Sequence, residues 1–213
     1  MTCVNFDQHS EKLLLLRLII RLVIMEIIKK ILDKYDVVFS DESVEKLASI
    51  MERKEYQKEE IILDRDQTCH FLYIVEKGMI RQFYYKDGRD ITEHFSPEGY
   101  VATCIESLIM KEPTSLLVEA IEPSVVYLLD YAKWETLCDE YSDINKLYRR
   151  IIEYKLVVSQ RKADSWRFES SRERYERFCQ ENPTIARRAS IAHIASYLLM
   201  SPETLSRVRA GIL

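Results

Sequence analysis

The chain has 213 residues, 47% hydrophobic and 31% charged, with 4 Gly and 5 Pro, so it is long enough for two modest domains with their own cores and is neither disordered nor fibrous. Its net charge of −4 hides an asymmetry: from Tyr141 onward 14 Lys and Arg stand against 8 Asp and Glu, a balance of +6, which leaves −10 before that point. Cys3, Cys69, Cys104, Cys138 and Cys179 and the histidines His9, His70, His94 and His193 show no CxxC, no His-x-His and no zinc spacing. That excludes a disulfide framework and the usual metal centres, and it fits free thiols in a reducing cytoplasm.

In chain order, Leu13 to Ile28 is apolar nearly all round, yet Arg17, Arg21 and Glu26 interrupt it and it is too short to span a bilayer. No small-residue cleavage site follows, so neither a membrane span nor a secretory signal is expected. A well-patterned helix starts at Met25, and residues 1–24 read as an extension ahead of the fold proper. The pattern predicts helices over 25–35 and, capped by Ser40 or Asp41, over 42–52.

From Tyr56 to Asp130 the period changes to two. Ile61-Ile-Leu, Phe71-Leu-Tyr-Ile-Val, Met79-Ile-Arg-Gln-Phe-Tyr-Tyr, Ile91-Thr-Glu-His-Phe, Leu116-Leu-Val-Glu-Ala-Ile and Val125-Val-Tyr-Leu-Leu are short β-branched or aromatic runs. Lys77-Gly78 and Asp87-Gly88 suit hairpins that need positive φ, so the segment is expected to roll into an antiparallel barrel or jelly roll. Thr103 to Met110 fits one or two helical turns.

Beyond Tyr131 the helical pattern returns. Ile144, Leu147, Ile151, Tyr154 and Val158 follow a three-four spacing, read as a dimer seam, with Tyr148, Ile152 and Leu156 as a second stripe beside it. One stripe can rest on the barrel while the other meets a symmetry mate; a single broad stripe buried within one monomer is the alternative. Ser170 to Gln180 supplies a further helix with Tyr175 and Phe178 inward, ended by Asn182-Pro183.

The last two dozen residues read as two short helices joined by a tight turn. Ile191, Ile194, Ala195 and Leu198 form an apolar stripe on the first. Ser201 offers a cap oxygen, Pro202 fits the first helical position and Glu203 the positive helix terminus of the second. Leu205 and Val208 face inward on that second helix. The predicted DNA-contacting residues are Ser201, Glu203, Thr204, Ser206, Arg207 and Arg209: Arg207 matches guanine O6 and N7, Glu203 matches cytosine N4, and the hydroxyls suit phosphates. Leu199 occupies the turn position where Gly relieves a left-handed backbone, at a cost of about 1–2 kcal/mol if that conformation is kept. An ordinary αα-hairpin with a solvated face remains the alternative.

Barrel, connecting helix and helix-turn-helix, in that order, resemble the Crp/Fnr family of bacterial transcription regulators from about Met25 to the end. The resemblance rests on Phe71-Leu-Tyr-Ile-Val-Glu-Lys-Gly-Met-Ile-Arg-Gln-Phe-Tyr-Tyr-Lys-Asp-Gly, similar to the glycine-marked strands of the cyclic-nucleotide-binding-type barrel, and on His193-Ile-Ala-Ser-Tyr-Leu with Ser201-Pro-Glu-Thr-Leu-Ser-Arg. It implies Glu203 and Arg207 as base readers, Ser201 and Thr204 as phosphate contacts, and a homodimer on a pseudo-palindrome of double-stranded DNA that recruits or blocks RNA polymerase. The fold class is thus α+β: a sensor domain over residues 25–140, a connecting and dimerisation helix over 141–166 and a DNA-binding domain over 167–213.

Two departures from the family matter. Its nucleotide binders hold the cyclic phosphate with a Gly-Glu turn and an Arg, whereas this chain has Gly99-Tyr-Val-Ala-Thr-Cys-Ile-Glu-Ser and no Arg between Arg89 and Arg149, so cyclic AMP is disfavoured. No cofactor is expected; an iron-sulfur centre needs clustered amino-terminal cysteines, and Cys3 stands alone there. Thr103, Glu106, Ser107, Thr114 and Ser115 are the candidate lining of an effector pocket for another small molecule, or equally ordinary loop groups around a self-filled barrel. No catalytic residues are assigned, since no nucleophile is paired with a base, which weakens a cupin-type enzyme. The competing function is a sensor or interaction module of the same fold that no longer reads DNA.

Overall fold

The computed structural model describes the backbone of residues 5–212 and the side chains of residues 19–212. Helix α1 (Asn5–Tyr35) runs unbroken through Met25, so the helix starts well before the patterned segment. Its inward face begins at Ile24 and continues through Ile27, Ile28, Ile31 and Tyr35, while Ile19, Ile20 and Leu22 are exposed. Cys3 and the side chains of Leu13 to Leu16 lie outside the described residues. Helix α2 (Asp41–Ser49) is capped by Ser40, whose hydroxyl accepts from the Ser43 amide at 3.1 Å. It ends three residues earlier than the pattern predicts, because Met51 already opens strand β1 (Met51–Tyr56).

The strands that follow are β2 (Ile61–Leu63), β3 (Phe71–Lys77), β4 (Met79–Lys86), β5 (Arg89–Pro97), β6 (Val101–Ala102), β7 (Leu117–Ala120) and β8 (Ser124–Asp130), with the short helix α3 (Ile105–Met110) between β6 and β7. They form two antiparallel four-stranded sheets, ordered β1-β8-β3-β6 and β2-β7-β4-β5. The β4–β5 hairpin closes at Asp87 and Gly88, both at positive φ as the sequence suggests. Gly78 stands at φ 88° where a Cβ would lie 2.6 Å from the Pro123 carbonyl, so only glycine fits that crossing. Tyr73, Val75, Val126 and Leu128, which share one face of the first sheet, and Ile80, Val118 and Ala120, which share one face of the second, are all buried in the barrel core.

Helix α4 (Tyr131–Glu140), capped by Asp130, leads into the long helix α5 (Ser142–Phe168). Asp143 ties the start of α5 to α2 by accepting from the Ser40 amide at 2.9 Å and the Ser43 hydroxyl at 2.7 Å. The stripe read as a dimer seam turns inward: Ile144, Leu147 and Ile151 are buried in the chain's own barrel core, and Tyr154 sets its ring edge against Tyr35 at 5.8 Å. Tyr154 and Val158 line a cleft inside the monomer. The first three residues of the stripe are therefore spent on the chain's own core, whereas Tyr154 is exposed and Val158 half-buried. Leu156, on the neighbouring stripe, is 58% exposed.

The remaining helices are α6 (Ser171–Glu181), opened by a Ser170/Glu173 capping box, α7 (Pro183–Arg188), α8 (Ile191–Tyr197) and α9 (Pro202–Arg209). Asn182-Pro183 stops α6 as expected, but the same proline starts α7, because the first helical position needs no amide. Phe178, Ile185, Ile194, Ala195, Leu198 and Leu205 gather into a second core together with Met79, Phe95 and Ile121 of the barrel. The carboxy-terminal helices are thereby seated on the outer face of the β2-β7-β4-β5 sheet. No described helix is long and apolar enough to cross a membrane.

Candidate nucleic-acid interface

Helix α8 begins at a Ser190 cap and ends in a Schellman turn: the Leu199 amide donates to the Ser196 carbonyl at 3.1 Å and the Met200 amide to the Ala195 carbonyl at 3.0 Å. This turn requires a left-handed residue after the helix, and Leu199 supplies it at φ 51° despite its side chain. Ala195 is fully buried, so α8 and α9 approach closely at that level. Ile191 departs from the expected stripe and is exposed, since the inward face of so short a helix is filled by Ile194, Ala195 and Leu198.

The residues expected to meet DNA all lie on α9 or at its cap. Leu205 and Val208 are buried beneath it, while Glu203, Ser206, Arg207 and Arg209 are exposed along its outer face. Ser201 is exposed and Thr204 half-buried. Ser201 Oγ accepts from the Thr204 amide at 3.1 Å and lies 3.2 Å from the Thr204 hydroxyl, so both first serve to fix the start of the helix. A hydrogen bond from Ser201, then the backbone amide of Glu203 itself and the nearby Arg207 charge, hold the Glu203 carboxyl below its ordinary value. The outer face thus offers one anionic acceptor and two guanidinium groups on two turns of helix.

What the sequence does not reveal is how firmly this unit is seated. Ser196 accepts from the Thr92 amide at 2.7 Å and donates to the Asp90 carbonyl at 2.8 Å. Beneath it Arg81, 3% exposed, binds Asp90 with two nitrogens at 2.7 and 2.6 Å and Glu119 at 2.5 Å. Arg188 bridges Glu98 and Glu122, and Lys162 of α5 donates to the Glu93 carbonyl and carboxylate at 2.6 and 2.8 Å. The legible signal was Arg81, a charge at an outward position of a strand whose neighbours on that face, Met79 and Phe83, are apolar and buried.

The expected effector-pocket residues do not converge. Ser107 accepts from the Cys69 amide at 2.9 Å and donates to the Glu112 carbonyl at 2.5 Å, and Thr114 accepts from the Leu116 amide at 3.0 Å. Glu106 and Ser115 point to solvent. Thr103 is buried with its hydroxyl unpartnered, and its carbonyl accepts from Gln82 at 3.0 Å. Of these five, Ser107 and Thr114 bond backbone groups, and none lines either of the two cavities described among these residues. Among the described residues no group of His, Cys, Asp and Glu could hold a metal ion.

Residues 53–141 match the cyclic nucleotide-binding domain family. The fold is that of the Crp/Fnr regulators. FixK2 from Bradyrhizobium japonicum is 22% identical with a TM-score of 0.66, over 76% of this chain and 84% of that one. CLP from Xanthomonas campestris, described as a c-di-GMP responsive global regulator, is 16% identical with a TM-score of 0.66, over 81% and 91%. The Thermus thermophilus catabolite activator protein is 20% identical with a TM-score of 0.53, over 82% and 84%. No curated protein matches the sequence.

Proposed function

We propose that the chain is a Crp/Fnr-type transcription regulator that binds a pseudo-palindromic operator as a homodimer and reads it with α9. The observation that carries this is the division of α9 into a buried apolar side and an outer face of Glu203, Ser206, Arg207 and Arg209, held at a fixed angle by the Leu199 turn. Such a helix enters a major groove with its first residues at the base edges. The basic balance of the carboxy-terminal part supplies the phosphate attraction, and a DNA partner with free thiols fits the cytoplasm. With Ile144, Leu147 and Ile151 taken up by the barrel, the partner surface on α5 is the outer stripe of Ile152 and Leu156, where Leu156 is uncovered. Contact with RNA polymerase follows from the same reading. Among the described residues Arg81 is the one buried guanidinium of the barrel, and it binds Asp90 and Glu119 on the face that carries Met79 and Phe83, so control by cyclic AMP is not part of this proposal.

Operator selection from random duplexes tests the reading. Arg207→Ala is expected to weaken binding by about 1–3 kcal/mol and to relax preference at one base pair per half-site. Thr204→Ala is expected to weaken all sequences about equally. The same motif and affinity for wild type and Arg207→Ala would remove α9 as the reader and favour a sensor or interaction module that keeps the fold.

A further inference from the structure

A cleft of about 840 Å³ lies between the end of α1, the β5–β6 region, α5 and helices α6 to α8, within the size range of small-molecule sites. None of Thr103, Glu106, Ser107, Thr114 or Ser115 lines it. Its charge is unbalanced. Among its basic side chains, Arg150 pairs with Glu153, Lys162 with Glu93, and Arg177 with Glu169 and Glu181. Lys34 and Lys155 face the same cleft, both half-buried, and among the described residues neither has a carboxylate partner. The Nε of Arg174, also on the wall, is buried without a hydrogen-bond partner. Asp36 also lines the cleft but is exposed and forms no ion pair among the described residues.

The aromatic content is as pronounced as the charge. Lys34 Nζ rests on the face of Tyr100, 5.5 Å from the Tyr154 ring centre and 5.9 Å from that of Tyr35. Trp166 and Tyr197 flank Lys162 at 4.6 and 4.7 Å farther along. Burial first, and then the charge of Lys155, pushes Lys34 down to about 7; burial likewise pushes Lys155 down to about 8. Two ammonium groups kept close in a partly dry cleft without a counter-ion repel each other, and an incoming anion relieves that repulsion while a cation or a neutral ligand does not.

We propose that this cleft binds a small aromatic acid, an arene carrying a carboxylate, sulfonate or phosphate, with Lys34 and Lys155 taking the anionic group and the tyrosines the ring. Because its walls come from the barrel and from α6 to α8 alike, occupancy touches both halves of the chain at once.

The test uses the full chain and two fluorescent probes with the same rings: 8-anilinonaphthalene-1-sulfonate, which is anionic, and N-phenyl-1-naphthylamine, which is neutral. Saturable binding of the sulfonate is expected, weakened at least about tenfold by the double substitution Lys34→Gln, Lys155→Gln, with the neutral probe changed less than about twofold. Lys86→Gln, an exposed lysine of β4 outside the cleft, is expected to leave sulfonate binding unchanged. Equal sulfonate affinity in the double variant, or neutral-probe binding as tight as sulfonate binding in wild type, overturns the proposal. If the double variant does not melt cooperatively, the two single substitutions decide by the same comparison, and no change in either overturns it. No DNA enters these measurements, so they stand or fall apart from the Arg207→Ala selection.

Discussion

The described residues form two cores, and they are held by different chemistry. The barrel core joins α1, both sheets and the first half of α5 through a continuous apolar cluster. The seam under α8 buries a smaller apolar patch and surrounds it with three charged clamps centred on Arg81, Arg188 and Lys162. Apolar burial is non-directional and is not screened by salt, whereas the partly exposed pairs of Arg188 weaken with salt and pH and the buried pairs of Arg81 and Lys162 do so far less. The barrel core is therefore expected to outlast the Arg188 edge of the α8 seat when acid or salt weakens charge pairs.

The sharpest way to break this comparison sets the two faces of α5 against each other. Ile151→Lys places an unpaired charge in the barrel core and is expected to cost several kcal/mol, enough to abolish cooperative melting. Leu156→Lys, about one turn away but exposed, is expected to leave the melting temperature of the isolated chain within a few degrees and to shift sedimentation from dimer to monomer. If Ile151→Lys instead melts normally as a monomer, the inward orientation of the seam is wrong.

Arg81→Ala probes the seam from beneath. It leaves Asp90 and Glu119 facing each other in a site where Arg81 is 3% exposed, and removal of one partner from such a group costs about 3–5 kcal/mol. Replacing the guanidinium by Met removes the same hydrogen bonds and is expected to be as damaging, because the two carboxylates remain. Chemical denaturation monitored by Trp fluorescence checks both; a loss under about 1 kcal/mol would mean that the carboxylates reach solvent.

How much of this was legible follows from what a pattern can encode. The strands and the glycine hairpins announced themselves, because alternation and positive φ are local properties. Strand β1, Met-Glu-Arg-Lys-Glu-Tyr, did not: it is an edge strand paired on one side with β8, with Glu52 to Glu55 all exposed, so it carries no apolar period. The stripe Ile144, Leu147, Ile151 showed that a face of α5 is buried but could not show against what. The outer face of α9 was legible because cap, proline and charges lie within nine positions. The cleft was not, because Lys34, Tyr100, Lys155 and Arg174 lie far apart in sequence and meet only in the fold.

The clamp at Arg188 sharpens the comparison through pH. Burial raises the Glu98 carboxyl, but the Arg188 guanidinium and the amides of Glu98 and Gly78 outweigh it and hold the group below its ordinary value. A carboxyl depressed in the folded state contributes stability that is fully present above its unfolded value and is lost as pH falls through the folded one. The seam is thus expected to loosen below about pH 4, before the barrel does. Arg188→Ala is expected to cost about 1 kcal/mol at neutral pH, since the clamp is partly exposed and screened, and to flatten that acid dependence. Hydrogen exchange of α8 amides against those of β3, followed from pH 7 downward, reads the difference; equal loss of protection in both would erase the distinction between the two cores.

The smallest effect concerns the turn that aims α9. Leu199 holds φ 51° and is 42% exposed, so it gives up backbone comfort and gains little burial in return. A left-handed conformation costs a side-chain-bearing residue about 1–2 kcal/mol, and glycine removes that penalty but adds backbone entropy to the unfolded chain. The two terms partly cancel, so Leu199→Gly is expected to stabilise by at most about 1 kcal/mol, read as a melting temperature higher by a few degrees. Its hydrogen bonds to Ser196 and through Met200 to Ala195 are backbone bonds and survive the change. Operator affinity should therefore rise or stay level, because the angle between α8 and α9 is set by those bonds and by fully buried Ala195. A lower melting temperature would mean that the leucine side chain packs on a neighbour, which its exposure argues against. A lost operator with unchanged stability would place Leu199 itself in contact with DNA.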